Sequence, residues 1–227
     1  MSDKIVRSGG PVTLIGGGSV GRGDLALALR HAPTLVAADS GAAAALAQGH
    51  VPQAVIGDFD SLTQTDKARI PPAHLFPVTE QDSTDFDKAL ERIGAPLVLG
   101  VGFLGARIDH QLAAFSTLMR CRGQPCVLIG PGELVFHLPP RVTFDARAGD
   151  VISLFPLVRV TGRSTGLHWP IDGLVLEPGG RIGTSNRATG PVTIETDAPG
   201  LLAIVPRDRL EGVAAALRFP PDAAPPR

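Results

Sequence analysis

Two aspartates one residue apart follow a short apolar run in AVIGDFDSL (54 to 62), namely Asp58 and Asp60. In extended backbone, residues i and i+2 project to the same side, so both carboxylates are expected to face one point beyond the end of a strand. Like charges held together call for a cation. Oxygen-only ligands on a tight turn suit Mg²⁺, which takes one or two carboxylates and completes its shell with water and substrate phosphates. The competing reading is a solvated turn in which Asp60 and Ser61 act as caps.

A second cluster lies in TEQDSTDFDKAL (79 to 90), where Asp82 followed three residues later by Asp85 has the spacing of a capping box. Asp85 and Lys88 then fall one turn apart on one helix face, which sets a carboxylate beside an ammonium. Alone, that is a surface ion pair. Beside Asp58 and Asp60 it supplies a third metal ligand or general base, and a phosphate clamp. A third cluster, GVGFLGARIDHQ (100 to 111), runs from a strand through a glycine turn to Arg107 and Asp109 at a helix start. It reads either as a cap with a solvated arginine or as an anion site. Strand ends carrying Asp39, Asp58 with Asp60, and Arg107 with Asp109 argue for one shared ligand.

The glycine loop GGGSVGRGD (16 to 24) carries G-x-G-x-x-G at Gly16, Gly18 and Gly21, and Asp39 follows at the spacing of a dinucleotide-binding fingerprint. Glycines let backbone N–H groups approach phosphate oxygens, and the next helix adds its positive end, so a phosphate is expected near residues 17 to 23. A plain strand-to-helix turn and a nicotinamide site remain alternatives. GxxxxGK[ST] is absent, which closes the Walker A route.

These clusters need a scaffold. From residue 12, short β-branched runs (12–15, 34–38, 54–56, 96–101, 125–130) alternate with helical stretches (24–32, 42–49, 85–94, 109–121). That alternation predicts a mostly parallel sheet flanked by helices. After Gly130 the period changes to two, with turn signals at PGG and DAPG, which predicts a C-terminal all-β sandwich or jelly roll. The expected division is residues 1–130 as an α/β nucleotide-binding catalytic domain, 131–218 as a β domain and 219–227 as a Pro-rich tail.

Composition excludes several classes. Among 227 residues, 44% are apolar and 19% charged, and the formal charge is −1, so no electrostatic footprint for nucleic acid or anionic membrane exists. The longest nearly apolar stretch, 97–106, is too short for a membrane span, and MSDKIVRSGG holds no signal core, which predicts a soluble, cytoplasmic protein. Cys121 and Cys126 read as reduced packing residues, and the six histidines show no metal-binding spacing, which argues against a zinc hydrolase.

The segments AADSGA (37 to 42), GDFDS (57 to 61), QDSTDFDKAL (81 to 90), GFLGARIDH (102 to 110), STGLHWPI (164 to 171) and TSN with GPVTIETD (184 to 197) occur together and in order. In that combination the chain resembles the thiamin pyrophosphokinase (thiamin diphosphokinase) family from about residue 12 to 206. The resemblance implies an N-terminal α/β domain, a thiamin-binding β domain, and a homodimer with active sites at the subunit interface. It implies Mg²⁺-dependent transfer of the pyrophosphoryl group of ATP to the hydroxyl of thiamin, giving thiamin diphosphate and AMP. By motif match, Asp58, Asp60 and Asp85 hold the metal and triphosphate, with Lys88 and Arg107 stabilising charge. Gly17, Gly18, Asp39, Arg107 and Asp109 belong to the ATP side, and Gln81, Asp85, Ser185 and Asn186 face thiamin. Ser40, Ala106 and His168 depart from the family pattern and put the shape of their turns in question.

Either Asp85 or Asp109 could accept the alcohol proton. Trp169 reads as an anchor of the β-domain core or of a dimer interface, with stacking on a cationic ring as the alternative. Three rival functions stay open on the residues alone: an NAD-linked oxidoreductase, a pyrophosphokinase for another primary alcohol such as a hydroxymethylpterin, and a nucleotide- or thiamin-sensing module without turnover.

Overall fold

The computed structural model describes residues 4–80, 82–105 and 107–218. Gln81, Ala106 and the Pro-rich stretch 219–227 lie outside the described residues. The chain divides into two compact units after Pro131.

The first unit is built on β1 (Val6–Arg7), β2 (Val12–Ile15), α1 (Asp24–His31), β3 (Thr34–Ala38), α2 (Gly41–Ala47), β4 (Ala54–Gly57), α3 (Gln64–Ala68), β5 (Leu75–Pro77), α4 (Asp85–Glu91), β6 (Ile93–Gly94), β7 (Val98–Val101), α5 (Ile108–Arg120) and β8 (Cys126–Ile129). Six strands form a parallel sheet in the order β8-β7-β2-β3-β4-β5. Strands β2, β4, β7 and β8 are buried at every position, as expected of a sheet covered on both faces. Helix α1 rests on β2 and β7, α2 on β2 and β3, and α4 on β3 and β4 while touching α5. The chain runs outward from β2 through β5 and then returns to β7 on the other side of β2. That reversal puts a topological switch point between β2 and β7, where open sheets gather ligands at the carboxyl ends of their strands.

Three local readings needed correction. The helix expected over 85–94 stops at Glu91, because Ile93 and Gly94 pair in parallel with Val6 and Arg7. The three-residue strand β5 and the five-residue helix α3 carry too few apolar positions to show a period, and neither was expected. The capping box on α4 is formed by Thr84 and Asp87, not by Asp82 and Asp85.

The second unit contains β9 (Glu133–His137), β10 (Arg141–Phe144), β11 (Val151–Pro156), β12 (Gly162–Leu167), β13 (Gly183–Thr196), β14 (Leu201–Pro206) and α6 (Leu210–Arg218). Its described pairings are antiparallel, and β14 lies between β9 and β11. The 14-residue β13 pairs with β11 through its first residues and with β10 and β12 through its last, so one strand serves two sheets. The expected alternation is plain in β10, where Val142 and Phe144 are buried and Arg141 and Thr143 exposed. The all-β expectation is overturned by α6. Its Leu210, Val213, Ala214 and Leu217 recur at i, i+3, i+4 and i+7, are buried, and pack the helix against β10.

Gly41, at the start of α2, shows how tightly the parallel sheet and its helices are joined. A Cβ there would lie 2.1 Å from the Ile15 carbonyl oxygen, and that backbone is held in the β2 ladder. Gly41→Ala is expected to destabilise the protein by about 1–3 kcal/mol, the usual cost of overpacking, read as a lower midpoint in denaturant at unchanged slope.

Candidate active site

Residues from five of the expected segments line one cavity of about 550 Å³ in the first unit, including Gly17, Gly18, Asp58, Asp60, Asp85, Lys88 and Arg107. The strand ends do converge, but not for the reasons that spacing suggested.

The Asp58 and Asp60 carboxylates approach each other through a turn rather than extended backbone. Phe59 between them has φ 63°, a left-handed conformation that is costly for a bulky side chain. The turn is held by two hydrogen bonds. The Phe59 N–H donates to Asp39 Oδ1 at 2.9 Å, and the Asp60 N–H donates to Asp58 Oδ1 at 3.3 Å. Asp39 itself has φ 41° and is 1% exposed. It fits only because residue 57 is glycine: a Cβ there would come within 2.8 Å of Asp39 Cβ.

One carboxylate oxygen from each of Asp39, Asp58 and Asp60 lies within 4.8 Å of the others. This trio differs from the expected metal set, since Asp39, read as an ATP contact, joins it and Asp85 stands outside it. Asp85 is instead tied to Lys88 at 3.4 Å, and Lys88 Nζ also donates to Asp58 Oδ2 at 3.1 Å. Lys88 is only 3% exposed. Burial works against its ammonium, but Asp58 and Asp85 outweigh burial and hold its pKa above the ordinary lysine value. The Lys88 hydrogen bond in turn holds the Asp58 carboxyl below the usual range.

Asp39 goes the other way. Burial, with the Asp85 and Asp58 charges, pushes its pKa up against the N–H groups of Phe59 and Ser40. Its Oδ2 is buried without a hydrogen-bond partner. An orphaned, charge-crowded carboxylate oxygen beside two further carboxylates is a donor set of hard oxygens, which fits a small divalent cation such as Mg²⁺.

Backbone hydrogen bonds fasten the glycine loop to its surroundings. The Gly16 N–H donates to the Val101 carbonyl and the Gly18 N–H to Gly102, which fastens the loop to the end of β7. The Gly21 N–H donates to Asp24 Oδ2 at 2.7 Å. Asp24 is buried in the first turn of α1, where a negative charge suits the positive end of the helix. Gly17 and Gly18 both line the cavity.

Arg107 sits at the N-cap of α5 and makes a two-pronged ion pair with Asp109, Nε to Oδ1 at 3.1 Å and Nη2 to Oδ2 at 2.5 Å. The pair holds Arg107 above and Asp109 below their ordinary pKa values. Both side chains are well exposed. Arg107 lines the cavity and Asp109 orients it from outside.

Ser83, Thr84 and His110 also line the cavity and were not singled out from sequence, and Ser61, read there only as a cap, lines it too. Thr84 had a usable signal, since a hydroxyl three residues before Asp87 is itself a capping box. His110 is adjacent to Asp109 at the same helix start. Phe86 and Phe103 form its apolar floor, with ring centroids 4.2 Å apart.

In the second unit, Asn186 is 6% exposed and committed to its own fold. Its Oδ1 accepts from the Trp169 and Arg187 N–H groups, and its Nδ2 donates to the Trp169 carbonyl at 2.6 Å. Asn186 therefore clamps the Trp169 turn. Ser185 beside it is exposed at φ 61°, its N–H donating to Ser153 Oγ. Trp169 is 56% exposed, edge-on to His168 at 4.4 Å, which rules out the core-anchor reading.

An acid whose folded pKa lies above its unfolded value binds its proton more tightly when folded, so stability falls as pH rises through that pKa. Asp39 is such an acid. Without divalent cations, Asp39→Asn is therefore expected to melt above the unsubstituted protein at pH 7. The gap should close in acid, below the usual carboxylate range, as thermal unfolding across pH will show.

Comparison with known proteins shows the family. Residues 25–129 match the family profile "Thiamin pyrophosphokinase, catalytic domain", and residues 137–201 match "Thiamin pyrophosphokinase, vitamin B1 binding domain". The chain is 27% identical over 164 residues to thiamine pyrophosphokinase 3 of Oryza sativa subsp. japonica, covering 64% of this chain and 61% of the rice protein. It is 33% identical over 92 residues to thiamine pyrophosphokinase of Bacillus subtilis, covering 37% of this chain and 42% of that one. The chain thus spans less than two thirds of the length of these curated relatives. Its fold is similar to that of thiamin pyrophosphokinase from Candida albicans, with TM-score 0.75 at 15% identity over 90% of this chain and 93% of that one. It is also similar to the Bacillus subtilis crystal structure, with TM-score 0.69 at 23% identity over 86% and 98%. With both family profiles matched in order along most of its length, the chain belongs to the thiamin pyrophosphokinase family.

Proposed function

We propose that this protein is a thiamin pyrophosphokinase, transferring the pyrophosphoryl group of ATP to the hydroxyl of thiamin and releasing thiamin diphosphate and AMP. The observation that carries the reading is the buried, unpartnered Asp39 oxygen grouped with the Asp58 and Asp60 carboxylates, beside a cavity that Asp58, Asp60, Lys88 and Arg107 line. Family membership supports the substrate pair.

In this reading Asp39, Asp58 and Asp60 hold Mg²⁺, and Asp85 is placed to complete the set beside Lys88. Bound there, Mg²⁺ neutralises phosphate charge. The rest of the work falls to the chain. Pyrophosphoryl transfer is mostly alignment and charge stabilisation, so cations must face the phosphates as negative charge moves onto AMP. Lys88 is buried, charged and held by two carboxylates, which fixes its ammonium at the cavity wall. Arg107 is held by Asp109 and offers its remaining N–H groups at the cavity edge. Asp85, which keeps one oxygen on Lys88, can use the other to accept the alcohol proton. Phe86, Phe103 and the glycine wall keep one side of the site dry.

On the thiamin side we place Gln81 and Ser185, with Asn186 acting through the turn it clamps and the exposed Trp169 and His168 as contact candidates. The family resemblance also supports a homodimer with active sites at the interface. Two free cysteines, both with pKa pushed up by burial, suit a reducing compartment such as the cytoplasm.

Incubation with ATP, Mg²⁺ and thiamin, resolving AMP from ADP, tests the proposal. AMP and thiamin diphosphate should form together, and removal of divalent cations should abolish both. Asp58→Asn is expected to lower kcat by about 10²-fold or more, the scale of losing a main charge-stabilising group. ADP as product, or binding without turnover, would refute it.

A further inference from the structure

Among residues 83–88, five line the cavity: Ser83, Thr84, Asp85, Phe86 and Lys88. Asp87 is the exception and points away, 1% exposed. Its contacts go in two directions. Toward its own helix, Asp87 Oδ2 accepts from the Thr84 N–H at 3.2 Å and from Thr84 Oγ1 at 2.7 Å, while Thr84 Oγ1 accepts the Asp87 N–H, a complete capping box. Toward α5, Asp87 Oδ1 accepts from Arg120 Nη2. Helix α5 is the wall that brings His110, Ala113 and Ala114 to the cavity and carries Arg107 at its cap.

We propose that Asp87 is a positioning residue for the active site, one buried carboxylate that fixes the first turn of α4 and locks it to α5. Both walls of the cavity thereby keep a constant spacing. The physical argument is one of degrees of freedom. Helix α4 has only seven residues, too few to hold its own register without caps and tertiary contacts. Asp85 and Lys88 occupy its first and fourth positions, so any fraying of that turn moves both. Asp87 ties down the Thr84 end with one oxygen and α5 with the other. Its charge is held in place: burial pushes its pKa up, but hydrogen bonds from Thr84, Arg120 and Thr117 outweigh burial and keep it below the ordinary value. No atom of Asp87 touches the cavity, so its effect on chemistry must pass through Asp85, Lys88 and α5. This inference rests on the pyrophosphokinase reading for its activity readout.

The test uses the purified full chain, with AMP formation from ATP, Mg²⁺ and thiamin followed at a temperature where circular dichroism shows each variant fully folded. Asp87→Asn keeps an acceptor for Thr84 but loses the charge facing Arg120, and Arg120→Gln removes the partner while leaving the capping box intact. Each is expected to lower kcat tenfold or more with KM for thiamin changed less than threefold. The double variant should fall no more than twofold below the worse single one, because both break the same link. Arg120→Lys, which keeps the positive charge, should restore kcat to within threefold. Thr13→Val, which removes a buried hydrogen bond to the Ala32 carbonyl outside the cavity, should lower the melting temperature and leave kcat within twofold. If Asp87→Asn and Arg120→Gln lower the melting temperature as Thr13→Val does but leave kcat within twofold, the residue is only structural and the proposal is overturned. Should Asp87→Asn not fold, Arg120→Gln and its lysine counterpart decide the matter. If the unsubstituted protein forms no AMP, the pyrophosphokinase reading fails instead. Positioning is then read from Mg²⁺-ATP affinity by calorimetry, where a tenfold loss in Arg120→Gln supports it and an unchanged affinity overturns it.

Discussion

Four carboxylates from three loops crowd toward one cavity, and their mutual repulsion is the constraint around which the first unit is organised. Asp39 is buried against Asp58 and feels Asp85, and one of its oxygens has no partner. Only a compact cation can sit among such groups. Lys88 supplies one permanent charge, reaching Asp58 and Asp85 at 3.1 and 3.4 Å from a nearly fully buried stem. It neutralises one side of the cluster and leaves the Asp39 side uncompensated. A folded protein retains such a deficit only where the surrounding structure over-determines it, and such deficits gather at functional sites.

That over-determination can be traced residue by residue. Asp39 and Phe59 both adopt left-handed backbone, and the N–H of one donates to the carboxylate of the other. Gly57 makes room for Asp39, and Gly41 lets α2 begin directly against β2. The strained turn is anchored by β4, which is paired on both sides within the parallel sheet, where β3 and β5 hold it in register. The sheet is thus the rigid element from which strained loops can aim charges.

The alternation of strands and helices up to residue 130 was legible because buried parallel strands read as short apolar runs, and the observed sheet follows from them. The chemistry of GDFDS and of Asp85 with Lys88 was legible for a simpler reason: charged side chains two or three residues apart must share a region of space. What spacing could not show was mechanism at the level of the turn. The i+2 rule foretold the right neighbours through the wrong backbone, since Phe59 is left-handed rather than extended. The G-x-G-x-x-G pattern does not reveal where its N–H groups go, because backbone N–H groups carry no sequence label. Those of Gly16, Gly18 and Gly21 are spent on Val101, Gly102 and Asp24. Nor does spacing reveal that Asn186 is a buried clamp on the Trp169 turn. Helix α6 went unread because its four apolar positions follow a stretch of period-two strands.

The division of labour between lysine and arginine follows from the same electrostatics. At position 88 the charge must fit between two carboxylates under near-complete burial, which favours the small ammonium with its freely directed donors. At position 107 the requirement is the opposite. The site edge is open, Asp109 fixes the fork from behind through two hydrogen bonds, and the remaining donors of a rigid planar group keep a set direction without burial. The same logic places arginine at position 120. There a long side chain, half exposed, must cross from α5 to a buried aspartate and still leave its charge partly solvated. One cation is held by burial, one by a carboxylate brace, and one reaches inward from solvent. Each suits the dielectric in which it sits.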